Sequence, residues 1–310
     1  MEYTLEYPDV APERIDKYIN TQISELSRSY IQQLIQNNMI KVNNKDCKAN
    51  YKCKVGDLIY IYAEEPKELD VIAEDIPLDI VYEDDSIIII NKPKHMVVHP
   101  AAGHESGTLV NALLYHCNDS LSSINGVKRP GIVHRIDQNT TGILVICKND
   151  HAHKILAEQL KEHSITRKYH AICYGTFKEP EGTIHAPIGR HPIDRKKMAI
   201  NHKNGRDAIT HYRVLEQFHN YSYIECTLET GRTHQIRVHM ASIGHPLLGD
   251  DVYGPKNPKI KGLEGQTLHA KTLGFIHPDT NQYVEFDSEL PDYFQKLLDK
   301  LRSNDPIHLE

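Results

Sequence analysis

No C-x-x-C pair joins the six cysteines of this 310-residue chain, Cys47, Cys53, Cys117, Cys147, Cys173 and Cys226. Their scattered spacing suits neither a zinc ribbon nor a disulfide framework, so reduced thiols are expected. No apolar run approaches the roughly 20 residues that a membrane-spanning helix needs. The opening Met1-Glu2-Tyr3-Thr4-Leu5-Glu6 lacks the basic start and apolar stretch of a signal peptide. These absences point to a cytoplasmic protein without a membrane partner. A Walker loop, a G-x-G-x-x-G and a G-x-S-x-G are also missing, which leaves nucleotide hydrolysis, dinucleotide redox chemistry and serine-hydrolase chemistry without support. Twenty histidines raise the question of a metal. His234 and His239 are five apart and fall on different helix faces, whereas prolines 93 and 100 flank His95 and His99 and keep them off a shared helix. His151 and His153 are only two apart. Three or four convergent ligands are not in sight, and no metal is expected.

What the chain does have is a globular balance, with 39% hydrophobic and 25% charged residues. Its length suggests a small module plus a larger domain. The formal net charge is −6, but its distribution is uneven. Residues 13–62 hold eight Lys/Arg against five Asp/Glu, and residues 161–240 hold thirteen against eight. The acidity lies elsewhere: ten acids against Lys67 in residues 63–85, and eight acids against three bases in residues 279–310. Two basic segments separated by an acidic one are compatible with a polyanionic partner, although solvated faces produce the same pattern.

Residues 13–62 read as a compact unit of two helices, around Arg14–Ile19 and Ser27–Ile35, the second with serines placed to cap it. Met39–Asn44 alternates into an Asn-Asn turn, and Val55–Ile61 gives a second strand. The expected division is a module over 1–64, an acidic linker over 65–77 and a second domain over 78–310. In that domain, strands are expected at Leu78–Tyr82, Ile87–Asn91, Gly131–His134, Ile143–Cys147, Tyr169–Tyr174 and Tyr223–Leu228. Helices are expected after caps at Asp150 and Thr233. The order is not a simple βαβ alternation, so the fold class is α+β with a mixed, largely antiparallel sheet.

Three segments could carry chemistry. Gly131 to Val145 reads as strand, polar loop, strand, with Asp137 in the loop; a carboxylate there suits catalysis, although an arbitrary loop Asp more often forms an Asx turn. Leu228 to His239 turns at Gly231 into a helix start, placing Arg232 near free amides and Arg237 four residues in. An inward Arg237 would need an anion and would hold that carboxylate ionised. Taken alone, the segment reads better as carrying two solvated arginines. In Arg167 to Gly175, Tyr169 shares a strand face with Ala171 and Cys173 and can stack on a base or simply fill a core.

Together these residues resemble the RluA family of pseudouridine synthases. His134-Arg135-Ile136-Asp137 followed by Thr141-Gly142-Ile143-Leu144-Val145 is similar to the family's H-R-L-D…(S/T)-G-L-L-V signature. Asn91-Lys92-Pro93 through His99-Pro100, Lys168-Tyr169-His170-Ala171, Thr230 to His239, Gly244 to Asp250 and Leu268-His269-Ala270 follow in the family's order, with His95 where glycine is usual. Residues 13–62 resemble the small S4-like RNA-binding module through Arg14-x-Asp16, Ser27-Arg28, Val42-Asn43 and Val55-Gly56-Asp57. That pairing is the arrangement of the RluD-like branch, whose members modify uridines of large-subunit ribosomal RNA.

The resemblance implies isomerisation of uridine within RNA without a cofactor. Asp137 would be the nucleophile, Arg237 its ionic partner, and Tyr169 the shelf for the target base and an aid to removal of the carbon 5 proton. Arg135 resembles the arginine that fills the gap left by a flipped-out nucleotide. Arg232 would orient the loop or contact phosphate. Arg190, Lys196 and Lys197 form an expected backbone-contact surface, and Arg28 and Lys41 carry the N-terminal module's share of RNA binding. The partner is structured RNA, and a monomer is the default. A non-catalytic RNA-binding ribosome-assembly factor is the competing reading; the joint presence of Asp137, Tyr169 and Arg237 counts against it.

Overall fold

The computed structural model of the protein describes residues 2–303 apart from 24–25, 27, 64–70, 102, 119, 127–128, 195–196, 257–259 and 261. The chain divides into two compact units, Met1–Asp70 and Val71–Glu310. In the first, β1 (Glu2–Glu6) precedes α1 (Ile15–Gln22) and α2 (Arg28–Gln36), followed by β2 (Ile40–Val42), β3 (Lys45–Asp46) and β4 (Leu58–Tyr62). The four strands form an antiparallel sheet in the order β1-β4-β2-β3. Asn43 and Asn44, at φ 51° and 64°, make the two-residue turn that their sequence predicts. Strand β1 is additional to the expected elements; its Tyr3 and Leu5 pack on a core built from Ile15, Ile19, Ile31, Leu34, Ile59 and Ile61. Ser27, an expected cap of α2, lies outside the described residues.

The second unit begins with β5 (Ile80–Glu83), β6 (Ile87–Lys92), α3 (Leu109–Cys117), β7 (Thr141–Cys147), α4 (Asp150–Lys161) and β8 (Thr166–Tyr174). It continues through β9 (Glu181–His185), β10 (Ile188–Arg190), β11 (Met198–Ile200), β12 (Ile209–Gln217), β13 (Tyr221–Leu228) and α5 (Gln235–Ser242). It ends with β14 (Leu268–Ile276), β15 (Tyr283–Asp287) and α6 (Asp292–Ser303). Nine strands form one sheet in the order β5-β6-β7-β14-β8-β13-β12-β9, with β15 branching from β14. Only the β7–β14 pair is parallel, so the fold is the mixed, largely antiparallel α+β arrangement expected. Ile87 to Ile90 are all fully buried because β6 is covered on both faces. Ile88 and Ile90 pack with α3 and α5, whereas Ile87 and Ile89 pack with Ala152 and Leu156 of α4.

Four local readings are corrected. Gly131–His134 is not a strand; Ile132 makes a single bridge to Ile146, and the half-buried His134 ring takes the Val145 amide at 3.0 Å, supplying a partner that a strand would have supplied from its backbone. Helix α4 is capped by the Asn149 side chain, which accepts from the Ala152 amide at 2.9 Å; Asp150 instead accepts from Ser122 and Ser123. The residue before α5 is His234, not Thr233, and it stands in the left-handed region at φ 57°. Residues 71–77 are not free linker: the Ile72 carbonyl accepts from the Asn111 side chain, Glu74 accepts from the Gly107 amide, and Val71 packs on the core.

Candidate active site

The sheet brings the three expected catalytic residues to one end. Asp137 lies in the loop before β7, and Gly142 decides how close β7 comes to its parallel neighbour. A Cβ at Gly142 would sit 2.2 Å from the Ala270 carbonyl oxygen, and its φ is +108°, so no other residue fits there. Across β14, Ala270 pairs with Tyr169 of β8; across β8, Tyr169 pairs with Cys226 of β13. Strand β13 then runs through Gly231 into α5, which carries Arg237 inward.

Arg237 Nη1 donates to Asp137 Oδ2 at 3.0 Å. Its Nε and Nη2 donate to the two oxygens of Asp250 at 2.7 and 3.0 Å, a bidentate pair. Asp250 is itself fixed by the amides of Val252 and Tyr253, and the Tyr253 ring lies under the guanidinium, 5.1 Å away. Burial opposes the Arg237 charge, but Asp250 and Asp137 outweigh it and push the group above its usual range. Asp137 Oδ1 makes no hydrogen bond to the described residues; His234 Nε2 stands 3.9 Å from it. His234 also bonds the Tyr253 hydroxyl at 2.8 Å, and burial holds its ring below the usual histidine range. That bond explains the strained backbone at His234: the left-handed turn aims the ring into the site.

Lys92 fixes the loop from below. Its fully buried ammonium donates to the carbonyls of Pro93, Met96 and Gln138 at 2.7, 2.9 and 3.0 Å, tying the 93–96 turn to the residue after Asp137. Burial pushes it down to about 7, and Asp137 pulls the other way. Burial likewise raises the Tyr169 phenol, with Arg167 opposing and Asp137 adding to the rise, so the hydroxyl keeps its proton near neutrality.

A cavity of about 470 Å³ opens over these groups, within the range of small-ligand sites. Among the described residues, Asp137 is the only carboxylate on its wall, whereas Arg135, Lys161, Arg167, Arg206, Arg232 and Arg237 all line it. A second cavity of about 330 Å³ shares Arg135, Asp137, His234 and Arg237 with the first. Of the residues expected to bind RNA, Arg135 and Arg232 therefore join the catalytic set. Arg190 and Lys197 do not line either cavity; Lys197 donates to the Val252 carbonyl at 3.1 Å. Lys196 lies outside the described residues. Arg28 and Lys41 belong to the N-terminal unit, where Arg28 pairs with Asp16 at 3.0 Å. Sequence reading gave no role to Asp250, Tyr253, Lys92 or Arg167, although all four stand within or beside quoted segments. Among the described residues, no group of three or more His, Cys, Asp or Glu could hold a metal, and no helix is long and apolar enough to cross a membrane.

Known proteins resemble this chain in sequence and fold. Residues 86–242 match the family of RNA pseudouridylate synthases, and residues 13–59 match the S4 domain. An uncharacterized RNA pseudouridine synthase of Bacillus subtilis is 51% identical over 292 residues, covering 94% of this chain and 95% of the relative. The ribosomal large subunit pseudouridine synthase D of Zymomonas mobilis is 46% identical, with 93% of each chain covered. Human RNA pseudouridylate synthase domain containing 1 superposes with a TM-score of 0.54 at 26% identity, covering 79% of this chain and all of that one. A carboxylate–arginine pair at the end of this sheet, in a chain that matches these relatives over nearly its whole length, places the protein in the RluA-type family of RNA pseudouridine synthases, with an S4 domain at its N-terminus.

Proposed function

We propose that the protein converts specific uridines of large-subunit ribosomal RNA to pseudouridine, with Asp137 as the nucleophile acting on a uridine turned out of its stack. The observation that carries this reading is the asymmetry at Asp137: one oxygen is held by Arg237 at 3.0 Å, and the other, with no hydrogen bond from the described residues and His234 3.9 Å away, faces a cavity on whose described wall there is no second carboxylate. Arg237 cannot follow the carboxylate into the cavity, because its other edge is clamped to Asp250. The carboxylate is thus oriented and half available, as covalent catalysis at the ribose requires.

The reaction leaves the composition of the nucleotide unchanged. The bond from nitrogen 1 to the ribose breaks, the base turns, carbon 5 joins the ribose and gives up its proton, and nitrogen 1 takes one up. A phenol held above its usual range is a poor base, so Tyr169 serves the base as a stacking face. Arg135, exposed beside Asp137, fills the place that the nucleotide leaves. The S4 domain adds affinity through Arg28 and Lys41, and Arg190 and Lys197, with Lys196, extend the backbone contacts. The name of the Zymomonas relative supports large-subunit RNA as the substrate. The enzyme acts as a cytoplasmic monomer without a cofactor.

The test is to map pseudouridines in ribosomal RNA from cells carrying the wild-type chain, no chain, or Asp137→Asn. The wild type should add one or more pseudouridines that Asp137→Asn does not, while purified Asp137→Asn binds RNA within a few fold of wild type. Modification surviving that substitution would refute the assignment.

A further inference from the structure

We infer that Arg167, Arg206 and Arg232 form one anion subsite, which takes a single phosphodiester of the RNA strand next to the nucleotide held at Asp137; the inference rests on the pseudouridine synthase reading for the identity of that strand. Arg167 is 6% exposed, yet no carboxylate of the described residues pairs with it. Its Nη2 donates to the Glu229 carbonyl at 2.7 Å, and its Nε has no hydrogen-bond partner. A buried guanidinium without an anion is costly to hold, and native structures rarely do so without a use for it.

The surroundings sharpen the point. Two acids of the neighbouring segments are already engaged by histidines: Glu229 with His211 at 2.6 Å and Asp207 with His185 at 2.7 Å. Arg232 spends its Nε on the Asp207 backbone carbonyl at 2.8 Å. Burial and the neighbouring charges of Arg206 and Arg167 lower Arg232, with Asp207 only partly offsetting them, so Arg232 feels both of the other guanidiniums. Mutual repulsion of that kind is relieved by one anion seated between them. Gly231 makes room for the arrangement, since a Cβ there would lie 2.8 Å from Arg167 Nη1. All three side chains line the cavity that holds Asp137. The charge is local and convergent, which suits a backbone phosphate, and forked guanidiniums match its oxygens.

The experiment measures binding of deproteinised large-subunit ribosomal RNA, from cells lacking the enzyme, as a function of salt. Wild type is compared with Arg167→Gln, Arg167→Lys, Arg232→Gln and the double variant Arg206→Gln/Arg232→Gln. Loss of one shared phosphate should lower the slope of log K against log salt by about 0.7 to 0.9. Arg167→Lys should keep the wild-type slope, because a point charge remains. The double variant should lose no more slope than Arg232→Gln alone, since both side chains serve one anion. Weaker binding by Arg167→Gln at unchanged slope would assign Arg167 a structural role and overturn the subsite. If Arg167→Gln does not fold, the double variant decides: no loss of slope, or a loss worth two phosphates, overturns it as well. Pseudouridine mapping on the same RNA separates the two proposals. A lowered slope without pseudouridine leaves the subsite standing and the proposed activity refuted, and pseudouridine with an unchanged slope does the reverse.

Discussion

Asp16 in the N-terminal unit and Asp137 in the catalytic unit are both bound to arginine, and the two pairs are built to opposite ends. In the N-terminal unit, the fully buried Asp16 accepts from Arg14 Nε and Nη2 at 2.9 and 3.0 Å, from Arg28 at 3.0 Å and from Gln32 at 2.8 Å. Burial alone would raise Asp16, but those four donors hold it down at about 2. In the catalytic unit, Asp137 has one donor and is 17% exposed. Its arginine is the saturated partner, and the carboxylate is left with an oxygen to use. The same two residue types make a structural knot where donors occupy both carboxylate oxygens, and leave an oxygen accessible where they do not.

The sharpest way to break that contrast is Arg237→Leu. It leaves Asp250, whose side chain is fully buried, as an uncompensated charge, and should cost the catalytic unit about 3–5 kcal/mol along with all activity. Region-resolved hydrogen exchange in urea would show this; equal protection in both proteins would mean that Asp250 finds other partners. Asp16→Asn should be milder, about 1.5–3 kcal/mol, because Arg14 and Arg28 are half exposed and water can take them. Its loss of protection should be confined to residues 2–63, and pseudouridine formation should persist at high RNA concentration.

Acid separates the units without a mutation. No histidine occurs in residues 1–70, whereas burial lowers His134 to about 3 and His99 and His269 to about 4 in the catalytic unit. Their neutral rings bind fewer protons folded than unfolded, so the stability they allow is present above pH 6.5 and falls away as pH drops toward 3 to 4. Asp16 contributes above its ordinary 3.8 and fails only as pH falls through about 2. At pH 5 the catalytic unit should therefore have lost protection and the N-terminal unit should not; parallel loss would dissolve the contrast. Smallest of all, Lys41→Gln should reduce the salt slope of RNA binding by about 0.7 and leave exchange untouched, which binding isotherms at several salt concentrations would check.

The sequence was most informative where chemistry is written in consecutive residues. Asp137, Arg237 and Tyr169 stand in motifs, and alternation placed β6 and β8 within a few residues of their observed ends. What it did not disclose were demands set by the assembled core. Lys92 and Asp250 matter because of the partners they meet across 46 and 13 residues, which no local pattern records. His134 read as part of a strand because its ring, not its backbone, completes the neighbour's bonding. Thr233 read as a cap by propensity, and lost to a histidine whose strained backbone is needed to reach Tyr253.

The three carbonyls around Lys92 match an ammonium, which has three hydrogens to give, but not an amine, which has two. As alkali strips the third proton above about 7, the fold as a whole gains, because an unfolded lysine keeps its proton up to its ordinary 10.5 and the enclosed charge is gone. One rung of the tether to Gln138 goes with it. Mild base should thus harden the scaffold while slackening the short span that carries Asp137, so that melting temperature and turnover part company on the alkaline side.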